Sequence, residues 1–249
     1  MQIYVETYGC AANQNDSELM AGLLKTAGYD VTNNIELADI VIINTCIVKT
    51  TTANKLYFRI KTLEGSGKKL IIAGCMPAAE LSKLRDITNA PVIGPDAVSE
   101  IAKVVAGLIK NKTFEAFDGK SKIGLPRISK SKVVFVQQIS QGCMNECSFC
   151  ETCLARGSLK SYNDNAIVKE IAGAKSAGFK EFWLTSQDNG CYGFDFDEKT
   201  NLAKLISKIT QTVRGKYYLR IGMVNPQHVK KFLPQLLDVY DNENMFKFL

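Results

Sequence analysis

The chain reads as an α/β protein: an open parallel sheet in a three-layer N-terminal domain, followed by a second and shorter series of βα units. Two observations predict this. The apolar runs Ile40-Val41-Ile42-Ile43 and Leu70-Ile71-Ile72-Ala73 lack the alternation of a half-exposed strand and are bounded by helical patterns, as expected for strands buried on both faces. In addition, Cys10, Cys46 and Cys75 each follow a strand-like run, at the end of the strand where an open parallel sheet binds its ligands.

The elements follow in order. The run 3–5 leads to Gly9-Cys10, and Asp16-Ser17-Glu18 is expected to open a helix carrying Leu19, Leu23 and Leu24 that closes at Gly28. The run 40–43 ends in Asn44-Thr45-Cys46 and feeds a helix through about residue 63; the run 70–73 ends in Gly74-Cys75-Met76-Pro77. A short helix near 79–84 and another over 98–109 complete a domain placed at 1–110. The lysine-rich stretch 111–132, with Gly119, Gly124 and Pro126, reads as a linker whose charges face solvent. A second domain, 133–249, has strands at 133–139, 181–185 and 217–221, helices at 164–177, 202–213 and 226–240, and a fourth strand beginning at 245–249. Repeated βα units suggest a βα barrel, but about four strands cannot close one, so an open sheet edge needs covering.

Composition narrows the function classes. The 249 residues carry a net charge of +6, which suits an anionic partner such as RNA without requiring one. The start lacks the cationic and apolar pattern of a secretory signal, and no apolar stretch reaches the roughly 20 residues of a membrane span. A cytoplasmic, reducing location is therefore expected, and the eight cysteines read as ligands instead of disulfides.

Thiol spacing carries the chemistry. Cys143, Cys147 and Cys150 form a C-x3-C-x2-C loop after the run 133–139, and three thiolates leave one iron of a cubane cluster open to a substrate. Cys153 offers a fourth thiol, so a structural zinc site stays an alternative. The iron-sulfur reading is favoured, with Cys153 as a spare. A lone cysteine is most often a buried small hydrophobe, but three at equivalent strand ends favour ligation by Cys10, Cys46 and Cys75 as a second set.

These motifs together resemble the methylthiotransferases, a radical-SAM family that modifies tRNA or a ribosomal protein, over essentially the whole chain. Tyr8-Gly9-Cys10 with Asn13 and Asp16-Ser17-Glu18, then Asn44-Thr45-Cys46 and Gly74-Cys75-Met76, are similar to the family's first three motifs, and 142–150 with Arg156-Gly157 to its radical-SAM signature. The stretches 184–190 with Tyr192-Gly193, and 220–226, resemble the archaeal and eukaryotic branch, which acts on N6-threonylcarbamoyladenosine beside the anticodon.

The resemblance implies a partial radical-SAM βα barrel in the second half, two [4Fe-4S] clusters and S-adenosylmethionine. Cys143, Cys147 and Cys150 would hold the cluster that cleaves S-adenosylmethionine to a 5′-deoxyadenosyl radical, and Cys10, Cys46 and Cys75 the auxiliary cluster that presents sulfur. Thr185, Ser186 and Gln187 would line the S-adenosylmethionine site, with Arg220 pairing its carboxylate. Arg156, Asn13 and Asn44 are weaker candidates for cofactor or substrate contact, and Cys191 and His228 receive no catalytic role. The implied partners are tRNA and an electron donor. In the family the chain continues past a strand like 246–249, so a trimmed chain, a split enzyme and a degenerate fragment are all consistent. The split is favoured, with a complementary chain or a homo-oligomer covering the sheet edge. Methylthiolation of a protein side chain, or a zinc-stabilised RNA-binding module built on Cys143, Cys147, Cys150 and Cys153, are the competing functions.

Overall fold

The computed structural model describes residues 1–48, 50–197 and 200–247, and the chain divides into two compact units. The first comprises 1–128 together with 147–156; the second comprises 129–146 and the described residues from Gly157 onward.

In the first unit the order is β1 (Gln2–Thr7), α1 (Ala11–Thr26), β2 (Asp30–Thr32), β3 (Ile40–Thr45), α2 (Thr50–Glu64), β4 (Lys69–Gly74), α3 (Cys75–Ala79), α4 (Leu81–Arg85), β5 (Val92–Ile93), α5 (Ile101–Ile109) and β6 (Glu115–Ala116), joined by α6 (Glu151–Arg156) from later in the chain. The six strands are all parallel, in the order β2-β1-β3-β4-β5-β6. Successive residues of β3 serve opposite faces, which is why its apolar run is continuous. Ile40 and Ile42 join Ile3, Val5, Ile71 and Ala73 against Leu19, Met20 and Leu24 of α1 and Val104 and Val105 of α5. Val41 and Ile43 join Ile72 against Leu56, Ile60 and Leu63 of α2, with Met76 and Ala155. Each such fully buried side chain contributes about 1.5–3 kcal/mol. The mixed α/β architecture with a parallel sheet is thus the one the apolar runs predict.

Three details differ from the sequence-based expectation. β2, β5 and β6 are too short to leave an apolar run, and they widen the sheet to six strands. Helix α1 starts at Ala11, with Cys10 as its N-cap, so Asp16, Ser17 and Glu18 lie inside the helix and are buried instead of opening it. Most of the stretch expected as a linker is built into this unit. Glu115–Ala116 is its sixth strand, Lys122 is buried, and the Ile128 N–H donates to the Glu18 carbonyl at 2.9 Å. The charges at 122 and 127 point at α1 carboxylates, so lysine content there does not mean exposure.

The second unit contains β7 (Val134–Gln138), β8 (Ser140–Gln141), β9 (Lys160–Ser161), α7 (Asp164–Ser176), β10 (Glu181–Thr185), α8 (Leu202–Thr212), β11 (Tyr218–Ile221), α9 (Pro226–Val229) and α10 (Leu233–Tyr240). Strands β11-β10-β7 form a parallel sheet, with β8 and β9 as a separate antiparallel pair. Phe135, Phe182 and Tyr217 pack edge to face at its core, with centroids 6.1 and 5.6 Å apart. The helix expected over 226–240 is broken into α9, a 3-10 turn and α10, with Pro234 in the first turn of α10 where its missing N–H costs nothing. Met245 makes a single parallel bridge to Leu219, the start of the expected fourth strand; Phe248 and Leu249 lie outside the described residues. Among the described residues no helix is long and apolar enough to cross a membrane.

Candidate functional site

The strand order of the first unit reverses between β1 and β3, and open parallel sheets bind ligands beyond the carboxyl ends of strands at such a switch point. Cys10 follows β1, Cys46 follows β3 and Cys75 follows β4 on the neighbouring strand. Gly9 lets two of these segments meet. Its φ is +114°, and a Cβ there would lie 2.7 Å from the Cys46 Cβ. Burial pushes the Cys46 thiol above its ordinary value, and the charges of Cys75 and Cys10 add to the rise, as expected for thiols that share a site. Cys46 and Cys75 are buried and Cys10 is exposed.

Polar side chains from α1 and β3 fix this arrangement. The Asn13 amide donates to the Thr45 carbonyl at 2.8 Å, and the Asn44 amide donates to the Asn13 carbonyl and to the Ser17 hydroxyl, each at 2.8 Å. Thr45 Oγ1 donates to the Ala73 carbonyl at 2.6 Å and accepts from the Met76 N–H at 3.2 Å, locking the start of α3. Asn13 and Asn44 therefore hold the cysteine loops together through backbone contacts. Cys10 Sγ also lies 3.3 Å from Asn13 Oδ1.

Arg156 ends α6, six residues beyond Cys150 in sequence, and its side chain is 1% exposed. Nη2 donates to Asp16 Oδ2 at 3.0 Å and to Asn13 Oδ1 at 3.2 Å, while Nη1 is buried without a hydrogen-bond partner of standard geometry. Burial alone would depress the guanidinium, but the charges of Cys75, Asp16 and Cys10 outweigh it and raise the group above its ordinary value. Asp16 Oδ1 accepts from Lys122 Nζ at 2.6 Å. Burial pulls that lysine below its ordinary value, with Asp16 opposing and Arg156 reinforcing the fall. Sequence reasoning missed Lys122 altogether and read Asp16 as a helix opener. The available signal was three consecutive polar residues on a helix that continues into a core.

Cys147 and Cys150 fold with the first unit and Cys143 with the second, so the C-x3-C-x2-C loop spans the division of the chain. Cys153 lies on α6. In the second unit Cys143 is bridged to Ser158, and its sulfur lies with the Asp188 carboxylate and the Cys191 sulfur, all within 4.8 Å of one another. Burial, then Asp188, pushes the Cys191 thiol up to about 12. Asp188 Oδ1 accepts from the Gly190 and Asn225 N–H groups at 2.8 and 3.0 Å, and Oδ2 faces His228 Nε2 at 3.6 Å. His228 is buried and lies 3.1 Å from Asn145 Oδ1, so it is neither a solvent-facing residue nor a cap; Asn225 caps α9.

The strand-end residues proposed for the cofactor lie as follows. Thr185 ends β10 in register with Gln138 of β7, and its carbonyl accepts from the Ile139 N–H at 3.0 Å. Ser186 Oγ donates to Asn189 Oδ1 at 3.0 Å, and Gln187 Oε1 accepts from the Gly142 N–H at 2.7 Å, tying the end of β10 to the start of the cysteine loop. The Arg220 guanidinium sits 4.6 Å over the Trp183 ring. Beside them, the side-chain polar atoms of Gln138, Ser140 and Gln141 are buried with no hydrogen-bond partner. A buried amide or hydroxyl left unpaired costs about 1–3 kcal/mol, so this set marks where a polar ligand fits. Gln141 was noted in the sequence only as flanking the cysteine loop, and Gln138 and Ser140 were not singled out; the signal is polar residues at and just after the end of a buried strand.

In fold, the chain is similar to the cobalamin-dependent S-adenosylmethionine radical enzyme OxsB with aqua-cobalamin bound, at a TM-score of 0.59 and 11% identity over 96% of this chain and 42% of that one. It is also similar to the radical S-adenosylmethionine methyltransferase TsrM from Kitasatospora setae with cobalamin and a [4Fe-4S] cluster bound, at 0.59 and 10% over 88% and 53%. The likeness to these two structures is one of fold.

Sequence narrows it further. Residues 2–94 match the family described as Uncharacterized protein family UPF0004. The whole chain is 40% identical to a probable threonylcarbamoyladenosine tRNA methylthiotransferase of Pyrococcus horikoshii, 36% to one of Methanocaldococcus jannaschii, and 31% to the Homo sapiens threonylcarbamoyladenosine tRNA methylthiotransferase. It spans 59%, 58% and 44% of those relatives' lengths. The chain is thus similar over residues 2–94 to UPF0004 and, throughout its length, to archaeal and eukaryotic threonylcarbamoyladenosine tRNA methylthiotransferases, of which it spans about half.

Proposed function

We propose that this chain is a catalytic part of a tRNA methylthiotransferase that converts N6-threonylcarbamoyladenosine beside the anticodon to its 2-methylthio derivative. The observation that carries the reading is the convergence of Cys10, Cys46 and Cys75 on the switch point of a parallel sheet, in a chain that also holds the C-x3-C-x2-C loop. The donor chemistry fits: three thiols at neighbouring strand ends, two of them buried, lie by a buried guanidinium that is hydrogen-bonded to Cys75. In this reading Cys10, Cys46 and Cys75 hold an auxiliary [4Fe-4S] cluster, and Cys143, Cys147 and Cys150 hold the radical-SAM cluster, set in a partial βα barrel. When bound, these clusters and S-adenosylmethionine supply one-electron cleavage of a sulfonium and a sulfur atom for transfer.

The protein's own residues position and shield. Gln187 holds the start of the cysteine loop, and Gln138, Ser140 and Gln141 offer unpaired buried groups to a polar ligand. Arg220, stacked on Trp183, offers a guanidinium to a carboxylate. Asn13 and Asn44 keep the Cys10 and Cys46 loops in register, and Thr45 ties the Cys75 loop to them. In this reading the partners are tRNA and an electron donor, and the activity is cytoplasmic. In this reading a complementary chain or a second copy covers the edge of the second, three-stranded sheet.

The test is anaerobic purification followed by separate Cys143→Ala and Cys46→Ala substitutions. About eight irons per chain with matching sulfide are expected. Loss of Cys143 should abolish S-adenosylmethionine cleavage, whereas loss of Cys46 should spare cleavage and remove sulfur transfer. One zinc and a colourless solution would instead support the RNA-binding module, and unchanged tRNA nucleosides in a deletion strain would point to a protein substrate.

A further inference from the structure

We propose that Arg156 is a positioning residue for the Cys10/Cys46/Cys75 site: its buried positive charge, freed by Lys122 from full cancellation by Asp16, raises the reduction potential of the cluster held there. The inference rests on the reading above that these three thiols hold a [4Fe-4S] cluster.

Three observations carry it. First, Arg156 is anchored too well to turn elsewhere. Helix α6 packs its Ala155 into the core beside Cys75 and Met76, and Nη2 is fixed by two acceptors on α1, Asp16 and Asn13. Second, the local charges do not cancel. Asp16 is one carboxylate between two cations, at 2.6 Å from Lys122 and 3.0 Å from Arg156, with all three side chains at most 4% exposed. A lone Arg–Asp pair would present little net charge, but the second cation compensates the carboxylate and leaves guanidinium charge for its other neighbours. Third, those neighbours are the thiols. Asn13 Oδ1, which accepts from Arg156 Nη2 at 3.2 Å, lies 3.3 Å from Cys10 Sγ, and Cys75 is hydrogen-bonded to the guanidinium.

A guanidinium fixed in a dry site acts on a nearby anion far more strongly than one in water. A cluster held by three thiolates gains a further negative charge when reduced, so a fixed cation favours the reduced form. The same charge would stabilise an anionic sulfur on the open iron. A purely mechanical role for Arg156, tying α6 to α1, predicts no such effect on potential.

The experiment uses the full chain carrying Cys143→Ala, Cys147→Ala and Cys150→Ala, so that only the Cys10/Cys46/Cys75 cluster can form. After anaerobic reconstitution, iron is counted, and the reduced fraction at fixed poise is read by electron paramagnetic resonance. Arg156→Gln should lower the reduced-to-oxidised ratio at least tenfold, equivalent to 59 mV for one electron, at unchanged iron content. Arg156→Lys should keep most of the wild-type ratio. Lys122→Met, which leaves Asp16 to cancel Arg156, should shift the ratio in the same direction as Arg156→Gln, and it decides the matter if the Arg156 variants do not fold. An unchanged ratio in Arg156→Gln, or in Lys122→Met where the former is insoluble, overturns the role of Arg156 alone. Failure of the Arg156-intact protein to bind about four irons overturns the cluster reading and this inference with it.

Discussion

Replacing Asp16 by Asn should be among the most damaging single-atom changes in the first unit. The carboxylate accepts from Lys122 and Arg156, and the side chains of all three are buried to within 4% of full exclusion. Asparagine keeps the shape but leaves two cations facing each other without a counter-charge. Removing one partner of a buried ion pair costs about 3–5 kcal/mol, and the residual cation–cation repulsion places Asp16→Asn at the upper end. Lys122→Met is different, because Asp16 keeps Arg156 and an apolar stem replaces a lysine whose charge burial already disfavours; about 1 kcal/mol or less is expected. The double variant should therefore be more stable than Asp16→Asn alone, a coupling of about 1.5–3 kcal/mol. Amide exchange of β3, whose residues are all buried, reads the opening of this unit in metal-free protein. Asp16→Asn should speed it by about 10³-fold or more, with partial recovery in the double variant. Additive effects, or an Asp16→Asn cost under about 1 kcal/mol, would refute the claim that one carboxylate binds both cations.

Two further outcomes follow from packing and titration. A Cβ on Gly22 of α1 would lie 2.3 Å from the Pro126 carbonyl oxygen and 2.4 Å from the Arg127 nitrogen, so Gly22→Ala should push the 117–128 segment off α1 at a cost of about 1–3 kcal/mol. Limited proteolysis should then cut between 117 and 132 in the variant and not in the wild type, and equal cleavage would count against that packing. Tyr217 buries a hydroxyl with no hydrogen-bond partner, and burial pushes its pKa from 10.0 up to about 12. Its raised folded-state value means the stability is fully present below pH 10 and is lost as the pH climbs towards 12, on the order of 2 kcal/mol in all. Tyr217→Phe should remove that alkaline loss and stabilise the protein near neutrality by about 1 kcal/mol, measured as the pH dependence of the urea midpoint.

The sheet of the first unit was legible because its signals are local. Four consecutive apolar residues, as in 40–43 and 70–73, have one cheap solution, a strand covered on both faces, and Cys46 and Cys75 fall at its end by their place in sequence. The two- and three-residue strands β2, β5 and β6 carry no such signal, since their pairing is decided by neighbours already in place. The second half was less legible. Its strands were readable, but the buried, unpartnered side chains of Gln138, Ser140 and Gln141 look like ordinary loop residues until the strand that precedes them is seen to be covered.

The sequence by itself determined the α/β class, the parallel strands and the six ligand-type cysteines at strand ends and in one loop, because periodicity and spacing report burial and chemistry over a few residues. Only the tertiary structure decided which charges matter. Lys122 reaches Asp16 across 106 positions and Arg156 reaches it across 140, and no local pattern distinguishes these two from the lysines and arginines that face water. The same polar residue is solvated when its segment lies on the surface and becomes a buried counter-charge when that segment packs on a helix carrying a carboxylate. That difference is set by long-range packing, and it turned an apparent linker into part of the wall of the candidate site.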